Sequence, residues 1–426
     1  MERDSRERSL ANVGTQWLGE ITGRPIVDIA EKTSKHQGQA KTARLLHIIR
    51  HSADLPQQAL ELLLNHLQTS GSRDTSKMRG AALGLANLDP DNEAAKHASE
   101  WIASRQRDTQ LRKNHLIEEL NQASAQVYSS SMAKCYEQLA ELAFSAGEFN
   151  DAQSYILQQR DILMEADDSQ IILKLAMIAF FAGRDTSARA YTEKLAPTLV
   201  EKTGLFKETP LATRVGAMLG MIYFKHGHFR QAVALMLNLA PTQIEKISDI
   251  TTSEDIATYI ALGALATFSR AELSYLSKSD SMFLLLSERA RQNFSDLIGL
   301  LLNSKFAELF KELNRYKIDY LLDPLLYTTF NELFYRIQLR CFVQYLSVFS
   351  TVSMAEMAQA FDYSLEDLEQ EITQLIETRS VNVLIDQKRG MLVCRSQDDI
   401  SNLVNSAEGA AQRYLAESKT LLATLI

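Results

Sequence analysis

Apolar residues recur at three- and four-residue steps over most of this chain, the period of amphipathic helices packed on one side. From residue 41, "KTARLLHIIRHSADLPQQALELLLNHL" puts Leu45, Ile48 and Ile49 on one face and Leu60, Leu63, Leu64 and Leu67 on another. A break at Asp54-Leu55-Pro56 divides them into two helices, because proline cannot continue the first. Residues 1–40 are polar and irregular, with the breaker "TGRP" at 22–25, and read as a flexible arm. Residues 41–126 form an N-terminal helical region. Within it, "QTSGSRDTSKMRGAALGLANLDPDNEA" (68–94) is turn-rich at both ends and reads as a loose connection, followed by a long helix over about 95–126.

The middle, 127–323, repeats a helix pair. "YEQLAELAFSAGEFNDAQSYI" sets Tyr136, Leu139, Ala140, Ala143, Gly147, Ala152 and Ile156 at the spacing of a tetratricopeptide-like unit, where small residues let two helices approach. "LGMIYFKHGHFRQAVALM" repeats the pattern around Gly227, and "LAMIAFFAGRDTSARAY" does so more weakly around Gly183. Glycines at 147, 183 and 227 are 36 and 44 residues apart, so the units vary in length but share their construction. A helical solenoid follows.

Residues 324–395 change character. "SMAEMAQAFDYSLEDLEQEITQLIETR" reads as two helices, and "VNVLIDQKRGMLV" as two short strands joined by a glycine-containing turn. Helix, helix, hairpin is the order of a winged helix. Alternation turns Val381, Val383 and Ile385 to its core and Asn382, Leu384 and Asp386 outward. Asn382, Leu384, Asp386 and Leu392 are therefore candidate interface residues for pairing a strand edge with another subunit. The last segment, 396–426, reads as one amphipathic helix. Tyr414, Leu421, Leu422 and Leu425 lie on the stripe that partner helices would cover.

The fold class is thus mostly α: a TPR-like helical-repeat solenoid, a winged helix and a C-terminal helix. Composition agrees, with 46% hydrophobic and 23% charged residues and only 17 Gly and 7 Pro among 426. A formal net charge of -8 lacks the basic field that draws proteins to nucleic acid. The second winged-helix segment carries Glu366, Asp367, Glu369, Glu371 and Glu377 against Arg379, which repels phosphates. Nucleic acid is the weaker reading. No stretch of 18 apolar residues predicts a membrane span, and no apolar core follows the N-terminus to form a secretory signal. The expected location is cytoplasm and nucleus.

Candidate chemistry is sparse. Cys135, Cys341 and Cys394 are too far apart in sequence for a metal box. His226-Gly227-His228 is the one close histidine pair, but "FRQAVALMLNLAPTQ" follows, without the serine and aspartate that would complete a zinc shell. No histidine lies beyond 228, and no phosphate-binding glycine motif occurs. The expectation is no catalytic residue, no cofactor and no metal.

These features resemble the PCI domain, shared by the proteasome lid, the COP9 signalosome and a translation initiation factor. The likeness is carried by "ARLLHIIRHSADLPQQALELLL", "ALGALATFSRAELSYL", "FNELFYRIQLRCFVQYLSVFSTVSMAEMAQAF" and "LEQEITQLIETRSVNVLIDQKRGMLV", over roughly residues 41–395. It rests on patterned apolar positions. The resemblance implies a non-catalytic subunit of the COP9 signalosome, which removes Nedd8 from cullins through zinc chemistry in another subunit and so regulates cullin-RING ubiquitin ligases. Its neighbours would be subunits 2 and 3, with cullin-RING ligases met through the assembled complex. A proteasome-lid subunit and a nucleic-acid-associated PCI protein are the alternatives.

Overall fold

The computed structural model describes residues 21, 25, 28–88, 93–126, 128–163, 168–200, 208–278, 288–377 and 381–394. It opens with α1 (Ile29–Ser34), α2 (Gly38–His51), α3 (Pro56–Thr69), α4 (Thr75–Leu88) and α5 (Glu93–Ala125). Helix α3 starts on Pro56, where a missing N–H costs nothing. Leu45 and Ile48 of α2 pack with Leu60, Leu63, Leu64 and Leu67 of α3.

Two expectations are corrected here. Within 68–94, residues 75–88 are not a loose connection but helix α4, whose Met78, Ala81, Ala82 and Leu85 are buried at helical spacing. Gly80 and Gly84 disguise it in the sequence. A Cβ on Gly84 would sit 3.3 Å from the Leu60 side chain, so the glycine brings α4 close to α3. Nor is the whole of 1–40 a free arm. Asp28 caps α1, whose Ile29 and Thr33 are buried, as is His36 beyond it. Residues 1–20 lie outside the described part of the chain.

Helix α5 bridges two cores. Its first half packs Ala98 and Ile102 on the N-terminal helices, and its second half packs Leu116 on Leu139 and Leu142 of the next helix. Three pairs then follow: α6 (Ser129–Ser145) with α7 (Phe149–Leu163), α8 (Ser169–Phe181) with α9 (Asp185–Leu199), and α10 (Pro210–Lys225) with α11 (Phe229–Leu237). Each first helix ends in the same turn. Gly147, Gly183 and Gly227 have φ of 77°, 72° and 75°. Around each, two crossed backbone bonds close the helix, such as Gly147 N–H to Phe144 O and Glu148 N–H to Ala143 O.

The short helix α12 (Pro241–Ile244) and a 3-10 turn lead to α13 (Ser253–Thr267), α14 (Arg270–Lys278), α15 (Glu288–Leu302), α16 (Phe306–Arg315) and α17 (Lys317–Leu321). The α15–α16 corner repeats the crossed bonds, with Ser304 at φ 58° in place of glycine. This unit escapes a search for marker glycines. Serine at positive φ costs about 1–2 kcal/mol, so Ser304→Gly is expected to stabilise the protein by up to about 1 kcal/mol after glycine's entropy loss. Gly183→Ala, with open space around the new methyl, is expected to cost about 1 kcal/mol through φ alone. Urea denaturation of both variants checks the opposite signs.

Helix α18 (Pro324–Leu346) runs alongside α10 and α13 and leads into the winged helix. That comprises β1 (Thr351–Ser353), α19 (Met354–Phe361), α20 (Leu365–Glu377), β2 (Val383–Asp386) and β3 (Met391–Cys394). The sheet order is β1-β3-β2, antiparallel throughout. Phe361 stacks on Phe306 (centroids 4.8 Å apart) and packs on Phe342 (4.6 Å). One apolar core therefore runs from Ile172 in α8 to Leu392 in β3, without a seam between repeats and winged helix.

A buried ionic joint ties the N-terminal helices to this body. Arg44 of α2 donates to Asp255 of α13 (3.0 Å) and to Asp323, the N-cap of α18. His36 Nε2 donates to the other Asp255 oxygen (2.6 Å), and Tyr259 donates its hydroxyl to Asp323 (2.7 Å). Burial alone would raise the Asp255 carboxyl. Arg44 and His36 outweigh it and hold that carboxyl well below the ordinary range. Lys32 of α1 donates to the Asp319 carbonyl, and Lys35 meets Glu254 at 2.6 Å.

Candidate assembly interface

Among the described residues, the three strands of the winged helix leave two edges unpaired, because β3 is central. Cys394 N–H donates to Ser350 O, and Met354 N–H to Gly390 O. Even-numbered residues of β3 thus face β1, and odd-numbered ones face β2. Leu384 and Asp386 are the hydrogen-bonded partners of Val393 and Met391, by the observed register. The backbone groups of Val383 and Ile385 must then point out from the open edge of β2, and those of Thr351 and Ser353 from the open edge of β1.

Apolar side chains flank both edges. Leu384 of β2 is 46% exposed; Val348 is 75% and Phe349 46% exposed just before β1, and Val343 stands out from the end of α18. An open edge beside exposed apolar groups is suited to strand addition by another chain.

The candidate residues separate accordingly. Asn382 is exposed just before β2, Leu384 lies in the ladder with its side chain exposed, and Asp386 is half-buried at the turn. Leu392 is a correction: it sits on the central strand, fully buried in the core, and reaches no partner. Alternation gives the face of a strand but not its rank in the sheet. Tyr414, Leu421, Leu422 and Leu425 lie outside the described residues. The β1 edge was missed because three residues carry no readable period, and "SVFSTVS" follows a helix directly. The adjacent Val348 and Phe349 beyond the helix end were the available signal.

Charge disfavours nucleic acid at this face. Arg389 in the β2–β3 turn stands 3.9 Å from Asp386, and Gln387 binds Glu369 of α20. Burial and Asp367 raise the Glu371 carboxyl on the same helix. His226 and His228 end α10 and begin α11, on either side of Gly227. Among the described residues no three His, Cys, Asp or Glu side chains converge as a metal site, and no helix is long and apolar enough to cross a membrane. Purified protein is expected to carry zinc far below one per chain. A stoichiometric content lost in His228→Ala would contradict the turn reading of that pair.

The fold and interface define a helical-repeat subunit capped by a winged helix, and two family models match it: the PCI domain over residues 313–396 and the 26S proteasome subunit RPN7 over residues 98–276. The chain thus carries a PCI domain, as members of the PCI-domain family do. Within that family it is similar to the COP9 signalosome complex subunit 1 of Emericella nidulans, 22% identical over 96% of this chain and 83% of that protein. The Caenorhabditis elegans COP9 signalosome complex subunit 1 is 30% identical over 50% of this chain, a match spanning only 35% of the nematode protein. The yeast 26S proteasome regulatory subunit RPN7 is 22% identical over 74% of this chain.

Proposed function

We propose that this chain is a non-catalytic scaffold subunit of a COP9 signalosome, held between two neighbours by its winged helix. The observation that carries this reading is the pair of open sheet edges with Leu384 on one side and Val348 and Phe349 on the other. A subunit with two usable edges occupies an internal place in an arc of winged helices. Its neighbours are subunits 2 and 3, and the segment 396–426, whose apolar spacing predicts a helix, joins the helices of the other subunits. The N-terminal half, fixed to the body through Arg44, contributes to docking the cullin substrate, and the complex works in cytoplasm and nucleus. Removal of Nedd8 belongs to another subunit. The match to the RPN7 model favours a proteasome-lid subunit as the second reading.

Reconstitution tests the proposal. The isolated chain is expected to leave a Nedd8–cullin conjugate intact, while a signalosome assembled without it loses most activity and regains it on addition of the chain. Activity that is independent of the chain would overturn the reading.

A further inference from the structure

A cavity of about 360 Å³ lies where α1, α13, α15 and α17 meet, at the small end of ligand-sized pockets. Its walls are apolar and aromatic, with Ala261, Leu262, Phe294, Leu297, Tyr316 and Tyr320. Nothing in the assembly reading uses it. The cavity lies in the flank of the solenoid, and the sheet edges belong to the winged helix.

The mouth is negative. Asp255 and Asp323, also in the lining, are already paired with Arg44. What an entering group meets is Glu31 and Glu254 against Lys35, while Asp319 in the same lining is buried beside Lys32. Lys35 is committed to Glu254 at 2.6 Å, and Lys32 lies 3.8 Å from the Asp319 carboxylate. Glu31 is exposed on α1 and makes no ion pair among the described residues.

We propose that this cavity binds a peptide segment of a partner protein in which an apolar residue stands next to an arginine. The apolar side chain fills the aromatic-walled depth, where burial rewards it. The neighbouring arginine remains at the mouth on Glu31, a planar cation matched to a carboxylate. Because α1 forms one wall, an occupied cavity also ties α1 more firmly to α13 and α17. Binding is linked to the docking of the N-terminal helices.

The test titrates the full chain with fluorescein-labelled Gly-Ala-Arg-Leu-Ala-Gly and with counterparts carrying glutamine for arginine or serine for leucine. Serine for leucine is expected to weaken binding at least about tenfold, as loss of a buried leucine does. Glutamine for arginine should weaken it about threefold, the measure of an exposed ion pair. Glu31→Lys, a surface change that leaves the core alone, should weaken the arginine peptide and spare the glutamine peptide. Ala261→Phe should abolish binding of both, and amide exchange over residues 29–36 should slow when the arginine peptide is bound to the unaltered chain. No binding by any peptide, equal binding by all three, or an arginine preference that survives Glu31→Lys would overturn the proposal.

Discussion

Arg44→Met is expected to destabilise the protein by about 3–5 kcal/mol, the cost of breaking a buried ion pair from one side. Arg44 is 5% exposed and stands between Asp255 and Asp323, which belong to different helices of the body. Without the guanidinium those two carboxylates are buried with one cation fewer, and burial disfavours their charged forms. Denaturation with urea measures the loss, and amide exchange over residues 29–51 should show these helices releasing first. Arg44→Met combined with Asp255→Asn and Asp323→Asn should recover much of the stability, since asparagine still caps α18. The same joint sets an acid limit. The Asp255 carboxyl is depressed in the folded state, so its contribution is fully present above the unfolded value, about pH 4. It is lost as pH falls through the lower folded value. A single variant that unfolds like the unaltered chain would show that the joint contributes no stability.

Ile385→Pro is expected to weaken incorporation into the complex at least about tenfold more than Ile385→Ala does, equivalent to about 1.4 kcal/mol, while the two variants, which both lose the packing of Ile385 on the core, unfold alike as monomers. The Ile385 N–H points away from β3, so proline there removes no bond of the domain's own ladder and deletes a donor offered to a partner. Leu384→Pro is the control, because its N–H faces Val393 and its loss damages the winged helix itself. Quantitative pull-down of assembled subunits beside monomer melting separates the two effects. Equal assembly by Ile385→Pro and Ile385→Ala would place the partner elsewhere, with the β1 edge the next surface to probe.

Where apolar spacing alone determines an element, the sequence announces it. Leu60, Leu63, Leu64 and Leu67 and the glycines at 147, 183 and 227 could be read directly, the glycines because positive φ strongly favours that residue type. Ser304 makes the same turn, but serine does not advertise it. Helix α1 was hidden for a different reason. "IAEKTS" is mostly polar, and its Lys32 partner, Asp319, lies 287 residues away, beyond the reach of any local pattern. The interface was partly legible: period two gave Leu384 its outward face, whereas the central position of β3, which buries Leu392, depends on pairing with a three-residue strand.

Affinity purification of the full-length chain from its source cells, with subunit stoichiometry determined by quantitative mass spectrometry, tests the central claim most directly. The account predicts recovery of the other signalosome subunits, the metalloprotease among them, at one copy each, together with substoichiometric cullins. Recovery of proteasomal ATPases in their place, or of the chain alone with nucleic acid, would contradict it.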